Sequence, residues 1–155
     1  MDMDDEKELV FLKNLGSLMR AHFSVTHCEL EKEGLYPGQP QLLFTLYKAN
    51  GVSQREIADK LKIKPATITV MIKRLEKSGF LFKEFDKKDR RVSRIFLSEK
   101  GFQTCERLKI VFRKLDKICL ENFTDKEIET LNNLILKVKT NLENYNKTKD
   151  GSCLN

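Results

Sequence analysis

The side chains able to do covalent or acid–base chemistry are sparse and scattered. Histidine occurs twice, at His22 and His27, and there is no Gly-rich phosphate loop, G-x-S-x-G turn or H-E-x-x-H helix. Catalysis by a general acid, a nucleophile or a metal needs such a constellation, so an enzyme is not expected and no catalytic residue is assigned. Four cysteines (Cys28, Cys105, Cys119 and Cys153) lack C-x-x-C spacing, and with two histidines they do not make a structural zinc cluster. His27 and Glu31 stand one helical turn apart, which is two ligands and not a site. Neither a metal nor a cofactor is expected.

What the sequence does concentrate is positive charge. Residues 35–100 carry fifteen Lys/Arg against seven Asp/Glu, a net +8, whereas residues 1–34 come to −4 and residues 101–155 to +2. A basic excess confined to the middle of a chain suits a polyanionic partner. Within it, Ile68, Ile72 and Leu75 mark the buried side of a helix beginning at Pro65. Pro65, Ala66, Thr69, Val70 and Lys73 then lie on the outer side, flanked by Lys64, Thr67 and Arg74. Such a face, short-chained at one end and cationic further along, permits close approach to a DNA major groove. Ala66, Val70 and the Thr69 methyl suit a thymine methyl, and the Thr69 hydroxyl could serve a base edge or a phosphate. Further on, Asp86-Lys87-Lys88-Asp89-Arg90-Arg91 forms a charged tip that could reach the adjacent minor groove.

The elements that position these groups are legible from spacing. Ser53-x-x-Glu56 is a capping box opening a short helix with Ile57, Ala58 and Leu61 inside. Its N-terminus, with Gln54, can aim at phosphate. The turn 62–64 leads into Pro65, tolerated at a first helical position, and Gly79 stops the second helix. Residues 80–85 and 92–97 read as two strands around the charged tip, with Ile95 and Leu97 facing inward. Two short helices followed by a hairpin make a winged helix-turn-helix.

Long amphipathic helices flank this unit. Apolar residues recur at steps of three and four through Leu9, Leu12, Gly16, Met19, Phe23, Thr26 and Leu30; again at Cys105, Leu108, Phe112, Leu115 and Cys119; and again at Ile128, Leu131, Ile135, Val138, Leu142 and Tyr145. Ser98 and Thr124-x-x-Glu127 mark the starts of the last two helices. The fold class is therefore mainly α with a small β-hairpin wing. It comprises an N-terminal helix (1–34), a winged helix-turn-helix (35–100) and C-terminal helices (101–155), in one structural domain. Amphipathic helices at both ends of a 155-residue chain call for a partner surface, which predicts a homodimer. No apolar run is long enough to span a bilayer, and the acidic N-terminus is unlike a signal peptide. A cytoplasmic protein with reduced thiols and no membrane partner is the expectation.

The run Ser53-Gln54-Arg55-Glu56-Ile57-Ala58, then Lys64-Pro65-Ala66-Thr67-Ile68-Thr69 and Arg74-Leu75-Glu76-Lys77-Ser78-Gly79-Phe80, resembles the MarR (multiple antibiotic resistance regulator) family. The wing through Ile95-Phe96-Leu97-Ser98-Glu99-Lys100-Gly101 resembles that family's D-x-R-D-x-R…L-T-x-x-G pattern, with Lys88 where Arg is usual. The resemblance spans essentially the whole chain. It implies a transcriptional regulator, often a repressor, bound to a pseudo-palindromic double-stranded DNA site and released by a small aromatic anion. It implies an Asp86–Arg91 ion pair bracing the wing and Arg90 or Lys88 in the minor groove, so Lys87, Lys88, Arg90 and Arg91 join the DNA-contacting set. It also places an effector crevice near the end of the first helix, where His22, Thr26 and His27 lie alongside Tyr36 and Tyr47. His22 also shares a stripe with Leu15, Leu18 and Val25, which suits packing at an interface. Cys28 does not match the family's peroxide-sensing cysteine, while Cys105 and Cys119 read as core. The competing reading is a winged helix that docks proteins instead of DNA, since fold alone does not fix function.

Overall fold

The computed structural model describes residues 3–86 and 89–148. Six helices and three short strands follow in the order α1 (Met3–Lys32), α2 (Gln39–Lys48), β1 (Val52–Ser53), α3 (Gln54–Leu61), α4 (Pro65–Lys77), β2 (Leu81–Phe85), β3 (Ser93–Leu97), α5 (Glu99–Cys119) and α6 (Asp125–Thr148). The winged helix-turn-helix with flanking long helices is as the spacing predicts. The strand β1 is not predicted. Its two residues pair antiparallel with β3 (Val52 opposite Ile95, Ser53 opposite Arg94), giving a three-stranded sheet in the order β1-β3-β2. A two-residue strand is too short to alternate, so it leaves no periodic mark in a sequence.

The boundaries follow from local chemistry. Ser53 caps α3 in a full capping box, the Glu56 N–H donating to Ser53 Oγ and the Ser53 N–H to Glu56 Oε2 at 2.7 Å. Thr124 and Glu127 repeat the exchange at α6. Helix α4 opens with Pro65 and ends where Gly79 takes φ +75°, a conformation that costs glycine little. There the Phe80 N–H returns to the Leu75 carbonyl at 2.9 Å.

The core lies in the middle of the chain. Leu30 and Leu35, Leu42, Leu43 and Leu46 of α2, Ile57 of α3, Ile68, Ile72 and Leu75 of α4, Phe80, Ile95, Leu97, Cys105 and Leu108 are all buried. Rings of α2 and α5 close it on one side, with Phe44 6.0 Å from Phe112 and Tyr47 5.8 Å from Phe102. Beyond Leu115 the stripe of α5 leaves this core. Cys105 is buried as expected, and burial pushes its thiol up to about 11, but Cys119 is exposed on the single chain. The long helices likewise carry Leu12, Leu18, Met19, Phe23, Ile118, Leu134, Ile135 and Leu142 roughly half exposed or more. Among the described residues no helix is long and apolar enough to cross a membrane.

One close approach fastens α5 to the end of α4. A Cβ on Gly101 would stand 2.1 Å from the Phe80 carbonyl oxygen, so the backbones can meet only if residue 101 has no side chain. Gly101→Ala is expected to cost about 1–3 kcal/mol through forced repacking, read as a lower denaturation midpoint at unchanged m-value. A midpoint equal to that of the parent would contradict this account.

Candidate nucleic-acid interface

Helices α3 and α4 meet at a turn in which Lys62 takes φ +52° and the Ile63 N–H bonds the Ala58 carbonyl at 3.1 Å. Because α4 buries Ile68, Ile72 and Leu75, the opposite face is free. Pro65, Ala66, Thr67, Lys73 and Arg74 are exposed there, and Val70 is 48% exposed although apolar. Lys64 stands just before it as the N-cap, also exposed. Among the described residues Lys62, Lys64, Lys73, Arg74 and Lys77 have no carboxylate in ion-pair range. Elsewhere on the chain the cations of Lys32, Arg107, Lys109 and Lys139 are matched to acids. Glu76, the one acid in α4, is engaged by Lys83 at 2.7 Å. A cationic surface results in which charges have not been neutralised internally.

Gln54 and Thr69 are not side by side in the sequence but are joined in the fold. Gln54 Nε2 donates to Thr69 Oγ1 at 2.5 Å and to the Pro65 carbonyl at 3.5 Å, while the Thr69 hydroxyl donates to the same carbonyl at 2.8 Å. The sequence reading offered that hydroxyl to a base or phosphate. In the structure it is already satisfied as donor and acceptor, so Thr69 has its methyl to present.

The wing departs from the expected brace. Arg91 does not pair with Asp86. Its guanidinium and backbone N–H turn to Asp89, with Nε 3.1 Å from Oδ1, and hold that carboxyl below its usual range. Asp86 instead receives Arg94 Nε at 2.7 Å, and Arg94 Nη1 reaches Glu56 Oε2 at 3.1 Å. The register explains the exchange. The Asp86 N–H bonds the Val92 carbonyl and Glu84 sits opposite Arg94, so Arg94 is the same-face diagonal neighbour of Asp86. Arg91 lies in the tip beyond the ladder. Arg90 is exposed, with no ion-pair partner among the described residues. Lys87 and Lys88 lie outside the described residues. Arg94 was missed in the sequence, although its two-residue step past Val92 was there to be read.

The five candidate effector residues do not form one site. His22 and Thr26 line a mostly apolar pocket of about 250 Å³ between α1, the 37–41 segment and Phe112. In it Thr26 Oγ1 is buried without a hydrogen-bond partner among the described residues. The His27 ring packs 5.8 Å from Phe23. Tyr36 lines a separate groove with Gln39, Arg74 and Lys77. Tyr47 belongs to a clamp on α5: its hydroxyl donates to Glu106, and Lys109 Nζ sits 3.9 Å above its ring. Tyr36 precedes α2 and Tyr47 falls near its end, about 15 Å along a helix, so one small ligand cannot touch both.

Glu56 links these parts, serving the α3 cap and Arg94 at once. Ser53 hydrogen bonds, and then Arg94, hold its carboxyl below the usual range. A depressed carboxylate contributes fully above its unfolded pKa and is lost as the pH falls through the folded one. Arg94→Ala is therefore expected to speed hydrogen exchange in residues 85–94 by about threefold or more, the range of a weak surface network. Arg91→Ala should leave that segment near parent rates. The same segment should loosen in the parent as acid protonates Glu56. Equal effects of the two substitutions would restore the Arg91 brace.

The architecture is shared with known proteins. Residues 35–93 match the MarR family model. An uncharacterized HTH-type transcriptional regulator, YybA of Bacillus subtilis, is 30% identical over 132 residues, covering 85% of this chain and 88% of its own. The repressor MdtR of the same organism is 35% identical over 72 residues, covering 46% of each chain. A MarR family regulator of Listeria monocytogenes, solved with a 26mer DNA, superposes with a TM-score of 0.71 at 29% identity, covering 91% of this chain and 95% of that one. The chain belongs to the MarR family of DNA-binding, winged helix-turn-helix transcriptional regulators.

Proposed function

We propose that the protein is a homodimeric repressor that reads a pseudo-palindromic site with α4, grips the flanking minor groove with Arg90, and releases DNA when a small aromatic anion fills the pocket at His22 and Thr26. The observation that carries the DNA-contact reading is the row of unpaired cations around the short-chained outer face of α4. In this reading Lys64, Thr67, Arg74 and the N-terminus of α3 hold phosphates. Pro65, Ala66, Thr69, Val70 and Lys73 approach base edges, and Arg90, with Lys87, Lys88 and Arg91, serves the wing.

The dimer is supported by apolar surface that one chain leaves open. Phe11, Leu15 and Leu18 of α1 and Leu131, Leu134, Ile135 and Val138 of α6 line an open groove of about 470 Å³. A two-fold arrangement would set two copies of α4 about one helical turn, roughly 10 bp, apart. The effector reading is supported by the buried, unpartnered Thr26 hydroxyl beside His22, which gives a carboxylate or phenol a hydrogen bond that the fold leaves unmade.

Each part has its own measurement. Sedimentation should give twice the 18.1 kDa chain mass, and Ile135→Glu with Leu142→Glu should return the monomer and abolish operator binding; a monomeric parent would sink the dimer. Binding of a selected operator should weaken on the order of 10³-fold between about 50 and 200 mM salt, because condensed counterions are released. A flat salt response would contradict the phosphate contacts. Millimolar salicylate should release the operator from the parent and do so at least about fivefold less effectively from Thr26→Val, the size of one lost hydrogen bond. Equal release from both would remove Thr26 from the effector site.

A further inference from the structure

The DNA-contact reading places apolar groups at the start of α4 and leaves open which group there makes a hydrogen bond to a base. The amide of Gln54 crosses from the first residue of α3 to the N-terminal turn of α4, lying against Pro65 and Thr69 on the flank of the exposed face. Its two N–H groups are directed at Thr69 Oγ1 (2.5 Å) and the Pro65 carbonyl (3.5 Å). Its carbonyl oxygen has no hydrogen-bond partner among the described residues. The Thr69 hydroxyl is spent on Gln54 and on Pro65. Gln54 is half-buried, so the amide is held from behind and open on one side.

We infer that Gln54 is a specificity-determining residue: anchored through its NH₂, it presents its carbonyl oxygen to the major groove as a fixed acceptor for the exocyclic amine of adenine or cytosine. The chemistry excludes the alternatives. A free glutamine grips adenine with both its amide N–H and its oxygen, but here the N–H groups are committed to α4. A lone carbonyl oxygen repels phosphate, and it repels guanine O6 and thymine O4. It accepts from adenine N6 or cytosine N4, the amine donors of the groove. The Thr69 methyl, the group left to it once its hydroxyl is tied down, would then meet a thymine methyl at a neighbouring step. The inference rests on the DNA-contact reading and adds which atom reads which base.

The test removes single exocyclic amines. Duplex operator is first selected from a random pool by the full-length protein. Each half-site adenine is then replaced in turn by purine, and each cytosine by 2-pyrimidinone, which deletes only the amine. The parent should lose about tenfold affinity at one position per half-site, the scale of a good base contact. In Gln54→Ala that same replacement should cost less than about twofold, with other positions unchanged. Gln54→Met, similar in length but without the amide, should show the same loss of penalty, and it replaces Gln54→Ala if the thermal melt shows that the alanine variant does not fold. Thr69→Val keeps the methyl but gives the Gln54 amide no hydroxyl to hold, and should blunt the penalty at that position. The inference is overturned if no amine deletion affects the parent, or if the penalty in the Gln54 variants is as large as in the parent, or if those variants weaken every sequence alike. A folded parent that selects no DNA from the pool fails differently, because it removes the DNA-contact reading along with the inference.

Discussion

The structure depends on one junction, where the end of α4 is riveted to the start of α5. The carbonyl of Phe80 accepts the Ser98 N–H at 3.1 Å, and Gly101 packs against it with no room for a side chain. Around it Ser98 Oγ donates to the Gly79 carbonyl at 2.6 Å. Lys100 Nζ donates to the Ser78 carbonyl at 2.7 Å and lies 4.2 Å over the Phe80 ring. The carbonyls at the end of a helix lack internal partners, and α5 supplies some of them. Helix α4 thus takes its orientation from the helix that follows the wing. The turn 78–80 and the turn 98–101 are bound to each other at several points by hydrogen bonds and close packing.

From that rivet the molecule divides by what each part leaves unsatisfied. Residues 30–108 bury nearly all their large aliphatic side chains, each worth about 1.5–3 kcal/mol, and so close their own core. They leave charge uncompensated instead, since the cations of the 62–77 stretch lack acidic partners among the described residues. The outer helices leave apolar area uncovered instead, with Leu134, Ile135 and Leu142 facing outward. Uncovered apolar area asks for a protein surface, and uncovered positive charge asks for a polyanion.

Much of this was legible in the sequence because the signals were local. Capping boxes at Ser53 and Thr124, proline at the start of α4, Gly79 at its end and the period of Ile68, Ile72 and Leu75 all act within one or two turns. The long-range pairings were not legible. The Gln54–Thr69 contact spans fifteen residues, and nothing on either residue marks the other. The Arg94–Glu56 pair spans thirty-eight, and its geometry exists only once β1 and β2 fix the register of β3. The same reasoning explains the dispersal of Tyr36 and Tyr47. Both are near His22 in chain terms, but α2 carries one away from the other. Gly101 is an intermediate case: its pattern was noticed, while its cause, a backbone oxygen twenty-one residues earlier, was hidden until the fold brought the two together.

The wing shows how a modest network can matter without adding much stability. Pairs as exposed as Arg91 with Asp89, or Arg94 with Glu56, contribute little in water, far too little to fold a domain. Their effect is on direction. Arg94 ties the base of the hairpin, at Asp86, to the carboxylate that caps α3, so the wing leaves the body at an angle fixed relative to the helix-turn-helix. Within the tip Arg91 spends its charge on Asp89. Arg90 is left with no such tether among the described residues. Minor-groove width varies with sequence, and a cation that senses it must sit on a fixed arm yet be free to settle at its end. In the proposed reading a wing loose at its base would bring Arg90 to no groove in register with α4, and the Asp86–Arg94 pair holds that base.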